Sequence, residues 1–204
     1  VMVSLVVLSA ISVLAQSQTK STLNETSLEV AKKAAAYVIS QAIPESGGYK
    51  WEYYHEHRPE EIYVYFQPVQ MAHIGIFLVS LHEKTATSNC LDYAKGAAQW
   101  IIYNAVPDSG GYKWKCPDPN QPPPGGWYVT PDTHDIGEFL LKMYQVTGNS
   151  TYLDYAKGAA QWMTAMAEYE AGGSFIPYNP PGKYGSQAGH GIAPGREAHT
   201  ATFL

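Results

Sequence analysis

The stretch Leu-Asp-Tyr-Ala-Lys-Gly-Ala-Ala-Gln-Trp occupies residues 91–100 and recurs letter for letter at residues 153–162, 62 positions later. A second tract, Ala-Ile-Pro-Glu-Ser-Gly-Gly-Tyr-Lys-Trp at 42–51, recurs with two changes at 105–114. A Phe-Leu pair also repeats, beginning at positions 77, 139 and 203. A period of about 62 residues indicates a chain built from copied structural units.

Each unit is predicted to contain two helices joined by a short link. Apolar residues in 151–167 recur at spacings of three and four, which is typical of an amphipathic helix, and Asn149 precedes it as a cap. A preceding helix is predicted from about Thr133 to Val146, with Asp132 as its cap and Gly148 at its end. Because the link is so short, the two helices must be antiparallel neighbours.

Two glycines lie in the middle of predicted helices, where each costs roughly 1 kcal/mol relative to alanine. Gly96 and Gly158 occupy the same place in the two copies and are surrounded by alanines. We expect close approach of another helix to compensate for them. The stretch from Pro107 to Pro131 is rich in proline, glycine and aromatic residues, so it predicts a long ordered loop.

The predicted fold class is therefore all-α, with about two and a half helical-hairpin repeats and long aromatic-, glycine- and proline-rich loops. Hairpins of this period stack into an open solenoid or a closed ring. Closure would need six or seven hairpins, on the order of 400 residues at this period. Val1 in place of Met and an apolar pattern running to Leu204 suggest a piece of a longer protein.

The first 15 residues are almost unbrokenly apolar and are followed by polar ones. This pattern predicts a cleaved secretory signal peptide at 1–15, a polar linker at 16–26 and the repeat domain at 27–204, and hence a secreted or extracytoplasmic protein with no stable membrane span. A signal anchor, which would leave the protein membrane-anchored, and a buried helix are the alternatives. Thirteen basic against eighteen acidic residues give no basic footprint, which disfavours nucleic acid as a partner.

The repeated helix tract followed by Pro-x-Ser-Gly-Gly-Tyr-Lys-Trp resembles lanthionine synthetase C-like proteins. The resemblance covers roughly residues 27–204 and implies an α/α toroid, of which this chain would be an N-terminal fragment, with the chemical site in a central funnel. The family's cyclases bind zinc through two cysteines and a histidine, the second cysteine directly preceding the histidine, and so activate a peptide thiol. The resemblance thus implies zinc-dependent thiol chemistry on peptides in the full-length protein, although this chain contains no Cys-His pair and hence no predicted metal ligands.

Registered on the Phe-Leu pair, His73, Asp135 and His199 occupy one equivalent position near the start of the first helix of each hairpin. In a ring this position points toward the axis, where such groups could bind a metal or perform acid–base chemistry. Alternatively, each one caps its helix or bonds a neighbouring loop. His190 lies in a glycine-rich turn that approximates the family's His-Gly-x-x-Gly motif. Asp135, His190 and His199 are the candidate catalytic residues.

Thr-His-Asp-Ile-Gly at 133–137 also resembles a segment of unsaturated glucuronyl hydrolases, which share the six-hairpin helical ring. This second resemblance implies a secreted carbohydrate-active enzyme with Asp135 as acid/base. A non-catalytic module that binds a peptide or glycan in the funnel is a third hypothesis, so whether the protein is an enzyme stays open. The candidate ligand-binding residues are two histidines and three aromatic residues able to stack on sugar rings: His73, His134, Tyr112, Trp114 and Trp127.

Smaller expectations concern the cysteines and two lysines. Cys90 is expected to be a small core residue, although a disulfide with Cys116 is possible in an exported protein. Lys50 and Lys113, each between Tyr and Trp, are expected to stack on aromatic rings.

Overall fold

The computed structural model describes residues 21–58, 61–116, 127–128, 130–170 and 173–175. These residues are mostly helical, which confirms the all-α class. The helices of the described part are α1 (Ser21–Ser40), α2 (Pro68–Thr85), α3 (Ser88–Tyr103), α4 (Thr130–Thr147) and α5 (Ser150–Ala165). Helix α1 thus begins within the segment interpreted as a linker, whereas the predicted signal peptide at 1–15 lies outside the described residues.

Short antiparallel strand pairs occupy segments outside the helices, including part of the stretch from Pro107 to Pro131 that was expected to be a loop. The pairs are β1 (Ile43–Glu45) with β2 (Gly48–Lys50), β3 (Tyr53–Arg58) with β4 (Glu61–Tyr65), β5 (Val106–Asp108) with β6 (Gly111–Lys113), β7 (Lys115–Cys116) with β8 (Trp127–Tyr128), and β9 (Glu168–Glu170) with β10 (Gly173–Phe175). The first and third pairs close through two residues that both have positive φ, Ser46 with Gly47 and Ser109 with Gly110. Positive φ at both positions is the geometry of a tight hairpin turn, so the Ser-Gly dipeptide was the signal that the loop prediction overlooked.

The two helical hairpins are α2 with α3 and α4 with α5, each joined by two residues. As expected, Asn149 caps α5 by accepting a hydrogen bond from the Thr151 amide at 3.1 Å, and Gly148 ends α4 with a φ of 71°. The expected cap at Asp132 is wrong, because α4 begins earlier, at Thr130. Pro131 is tolerated there since the first-turn amides have no helical partner, and Asp132 instead lies in the first turn, where its charge favours the helix dipole.

Helices α2 and α4, here called the inner helices, pack directly against each other. Phe77 and Leu78 of α2 and their repeat equivalents Phe139 and Leu140 of α4 are all buried in this core. Gly75 is required at the contact, because a Cβ added there would overlap the Phe139 ring. The inner helices can therefore approach closely near their N-terminal ends.

Helices α3 and α5, the outer helices, each receive the strand pair that precedes their hairpin: β1–β2 packs on α3 and β5–β6 packs on α5. A Cβ at Gly96 would overlap the Tyr49 ring, and one at Gly158 would overlap the Tyr112 ring. Another helix was predicted to approach closely at these glycines. This prediction was wrong, because the group that packs on each glycine is a tyrosine ring from the strand pair. The two repeated sequence tracts are the two sides of one contact.

Each copy of that contact, here called the outer contact, carries the same polar network. Lys50 bonds Glu45 and lies over the Phe66 ring, with its Nζ 3.8 Å from the ring centroid, and Trp100 donates its indole N–H to Glu45 at 2.7 Å. The expected stacking of Lys50 on an aromatic ring is thus confirmed, and Glu45 is a partner that the sequence reading did not identify.

In the second copy, Lys113 bonds Asp108 at 2.7 Å and lies 4.0 Å from the Tyr128 ring centroid, and Trp162 donates to Asp108 at 3.3 Å. The stacking expected for Lys113 is confirmed as well. The repeated lysine, tryptophan and acid therefore tie each strand pair to the outer helix of the following hairpin.

The helices of the described residues are too short or too polar to cross a membrane.

Candidate functional site

A carboxylate held between two imidazoles lies where the inner helices meet. His73 of α2 contacts Asp135 of α4 through its Nε2, 3.0 Å from the Asp135 Oδ2. His134 contacts the other oxygen, with its Nδ1 3.0 Å from the Asp135 Oδ1. His73 and Asp135, which the repeat register placed at one equivalent position, are therefore in direct contact although they are 62 residues apart.

Glu138 completes this group, with its Oε1 3.6 Å from the Nε2 of His134. His134 is only 3% exposed, whereas the side chains of His73, Asp135 and Glu138 are each between 37% and 47% exposed. The four residues, here called the inner-end cluster, thus have a buried imidazole at the base and carboxylates that reach solvent. Such an arrangement is open to a ligand from one side.

The helical spacing explains why these side chains converge. Residues three and four apart lie on the same face of a helix, so Glu138 stands one turn above both Asp135 and His134. Gly75 brings the Phe139 ring against α2, and this close approach sets the distance at which His73 reaches Asp135. The cluster therefore depends on one helix for three members and on the helix–helix contact for the fourth.

Burial raises the pKa of Asp135, but the hydrogen bonds from His134 and His73, together with the charges those rings carry when protonated, outweigh it and hold the pKa well below its ordinary value. Asp135 is thus a carboxylate at neutral pH. A general acid needs a raised pKa, so this environment suits a residue that accepts hydrogen bonds or binds a cation better than one that protonates a leaving group.

Two of the three aromatic residues predicted to bind a ligand, Trp114 and Tyr112, pack against other parts of the protein. Trp114 is 1% exposed and donates its indole N–H to the Ile101 carbonyl at 2.8 Å, so its ring has no face open to a sugar. Tyr112 stacks on Tyr155 with ring centroids 4.4 Å apart and fills the space left by Gly158. The sequence does not distinguish these two roles, because a tandemly repeated aromatic residue is equally compatible with packing on a neighbouring ring and with binding a ligand.

Three other candidates lie beyond the described side chains. The backbone of Trp127 forms β8, but its side chain is outside the described part, as are His190 and His199 entirely. Their predicted roles stay predictions.

The cysteines do not fit the zinc site that the family resemblance implies. Cys90 is free and buried, which confirms its expected place in the core and means that it forms no disulfide with Cys116. Burial raises the pKa of the Cys90 thiol, whereas a zinc ligand must be a thiolate. Among the side chains that the structure describes, no set of two cysteines and a histidine converges to bind the ion.

Comparisons of the chain with protein-family models, with curated proteins and with solved structures gave no match.

Proposed function

We propose that this chain is an exported repeat protein of the lanthionine synthetase C-like class, and that it binds a peptide ligand at the inner-end cluster. The single observation that carries this proposal is the contact between His73 and Asp135 at 3.0 Å. It supports an arrangement in which successive inner helices turn about a common axis and present their first turns to a shared funnel.

The chemistry of the cluster supports a polar ligand. Asp135 and Glu138 supply carboxylate oxygens that accept hydrogen bonds from amide N–H groups, and His73 adds a half-exposed imidazole. Hydrogen bonds to charged groups are worth about 1.5–3 kcal/mol each, so a few such contacts support measurable affinity. In the full-length protein, the family resemblance would add zinc-dependent thiol addition to a bound peptide.

A peptide is favoured over a carbohydrate because two of the three aromatic residues expected to stack on sugars are engaged in packing. Trp114 is in the core and Tyr112 is packed on α5. The low pKa of Asp135 also disfavours the proton-donating step of the glucuronyl hydrolase hypothesis.

Binding measurements on the purified protein test the proposal. The probes are extended peptides, including ones that carry a dehydrated Ser or Thr together with a cysteine, and, in parallel, oligosaccharides that end in an unsaturated uronic acid. We expect the peptides to bind and Asp135→Asn to weaken them about tenfold, the effect of losing a charged hydrogen bond. Glu83→Gln is the control, because Glu83 pairs with Lys142 between the same two helices. Binding of the oligosaccharides alone, or peptide affinity unchanged by Asp135→Asn, would contradict the proposal.

Export is tested separately by expressing the full reading frame and sequencing the N-terminus of the mature protein. We expect cleavage shortly after residue 15, where the apolar segment gives way to polar residues. An uncleaved protein that stays with the cytoplasmic fraction would contradict this half of the proposal.

A further inference from the structure

We infer that His134, Asp135 and Glu138 form a binding site for a divalent transition-metal ion, and that His73 positions the Asp135 carboxylate in that site. This goes beyond the proposed function and does not depend on it, because the ion could bind whether or not a peptide does. The site also differs in its donors from the cysteine-based zinc site of the family, since all three ligands are nitrogen or oxygen.

Distance is the first support. One donor atom from each of the three residues lies within 4.8 Å of the others. Zinc bonds to nitrogen and oxygen are about 2.0–2.2 Å, so two ligands of a tetrahedral ion stand roughly 3.3–3.6 Å apart. The two contacts of His134 use different ring nitrogens, Nδ1 for Asp135 at 3.0 Å and Nε2 for Glu138 at 3.6 Å, and one imidazole binds a given ion through a single nitrogen. Side-chain rotations that bring the three donor atoms from within 4.8 Å of one another to the tetrahedral spacing would place all three residues around one ion.

Burial and charge are the second support. His134 is 3% exposed and so is held in place by packing, while Asp135 and Glu138 supply two negative charges at the solvent edge. Imidazole and carboxylate together suit zinc, iron and manganese. Three protein ligands with one side open to water is also the pattern of metal sites that admit a further ligand.

His73 provides the third support through the contact it makes. Its Nε2 lies 3.0 Å from the Asp135 oxygen that faces away from His134, where an N–H would fix the orientation of the carboxylate. Ligating carboxylates are commonly held by such hydrogen bonds, and losing one typically weakens metal binding 10–100-fold.

The first repeat supplies an internal comparison. At the positions equivalent to His134 and Glu138 it has Ala72, which is buried, and Ile76, which is half-buried. The helical hairpin therefore packs well without polar groups at these places. Burying an imidazole is costly unless polar partners surround it. The presence of His134 and Glu138 in the second repeat therefore indicates a role other than packing.

Zinc titration of the chelator-treated protein, followed by calorimetry with no peptide present, tests the inference. We expect saturable zinc binding that Glu138→Gln and Asp135→Asn each weaken at least tenfold, and that His73→Ala weakens 10–100-fold through the lost orienting bond. Because His134 is buried, His134→Ala would confound loss of metal binding with loss of folding, so the test relies on the half-exposed Glu138.

Two control variants match these changes on the same pair of helices. Glu83→Gln removes a carboxylate of similar exposure, and His82→Ala removes an imidazole near the other end of α2. Both should leave zinc affinity unchanged. Absence of saturable binding, or equal affinity in Glu138→Gln and Glu83→Gln, would overturn the inference.

Cobalt supplies a second measurement. We expect Co²⁺ to give the visible absorption of a nitrogen and oxygen site, and Glu138→Gln to abolish it. A thiolate-to-metal charge-transfer band unaffected by Glu138→Gln would place the ion on cysteine and overturn the inference. The two proposals can fail separately. Peptide binding that persists in excess chelator supports the proposed function, whereas the zinc titration alone tests the metal site.

Discussion

The outer contact is made by the outer helices of the two hairpins and the inner-end cluster by their inner helices, and the two regions differ in how closely the repeats copy each other. At the outer contact, Tyr49 on Gly96 and Tyr112 on Gly158 repeat the same packing with the same residue types. At the inner end, aligned positions differ in chemistry: Ala72, His73 and Ile76 in one repeat correspond to His134, Asp135 and Glu138 in the other. Packing thus constrains the outer side, while the inner side is free to carry chemistry.

A smaller difference exists within the outer contact itself. Glu45 has one methylene more than Asp108, so its two oxygens serve Lys50 and Trp100 separately, whereas Oδ2 of Asp108 receives both Lys113 and Trp162. The second acid is also less exposed, at 18% against 43%. The shorter acid therefore makes a more buried network, and the two copies should not contribute equally to stability.

The largest effect should come from Trp114, which stands in the core with its indole bonded to Ile101. Trp114→Ala should cost about 3–5 kcal/mol of unfolding free energy, as for other buried aromatic truncations. Trp51→Ala should cost a similar amount, because Trp51 is buried and donates to Val38 at 2.6 Å in the same way. Denaturant unfolding measures both. A cost of Trp114→Ala far below that of Trp51→Ala would break the equivalence of the two copies, and truncation of the exposed Tyr103 gives the reference for a side chain outside the core.

Gly158→Ala should come next, at about 3 kcal/mol, because its methyl group would collide with the Tyr112 ring and force the strand pair off α5. Gly96→Ala should behave alike against Tyr49. Adding Tyr112→Ala to Gly158→Ala should cost less than the sum of the single changes, since the collision partner is gone. The double-mutant cycle is measured by thermal or denaturant unfolding. Additive free energies would mean that Gly158 is not needed to make room for the Tyr112 ring.

Asp108→Asn should destabilise the protein by about 2 kcal/mol, because it leaves the Lys113 charge, which is 7% exposed, facing a neutral amide. Glu45→Gln should cost less, since that ion pair is more open to water. Unfolding free energies of the two variants, measured side by side, sharpen the comparison between the copies. Equal costs would show that burial does not separate them.

The smallest effect concerns pH. Hydrogen bonds from Lys50 and Trp100 lower the pKa of Glu45. Its contribution, about 0.5 kcal/mol for so exposed a pair, is present above the ordinary glutamate pKa and lost as pH falls through the lowered one. The stability difference between the protein and Glu45→Gln should therefore shrink in acid. If the stability difference between the protein and Glu45→Gln grows as pH falls, the pKa of Glu45 is raised rather than lowered in the folded protein.

The repeat period predicted the helical hairpins well, because apolar spacing and capping are local. Helix α5 was expected at 151–167 and runs Ser150–Ala165, and Asn149 and Gly148 have the roles assigned to them. The strand pairs were missed because three-residue strands carry almost no periodic signal. At the site, the register predicted that His73 and Asp135 are equivalent, and helical spacing places Glu138 beside His134 and Asp135, but nothing local indicated that His73 would contact Asp135.

By itself, the sequence determined the all-α class, the helical hairpins and the equivalence of positions 62 residues apart, since these follow from spacing along the chain. Only the tertiary structure decided which residues meet. The Gly75–Phe139 contact sets the distance between the inner helices, and the tyrosines of the strand pairs, rather than helices, fill the space at Gly96 and Gly158. Contacts between distant segments depend on side-chain volume in three dimensions, which spacing along a chain does not record.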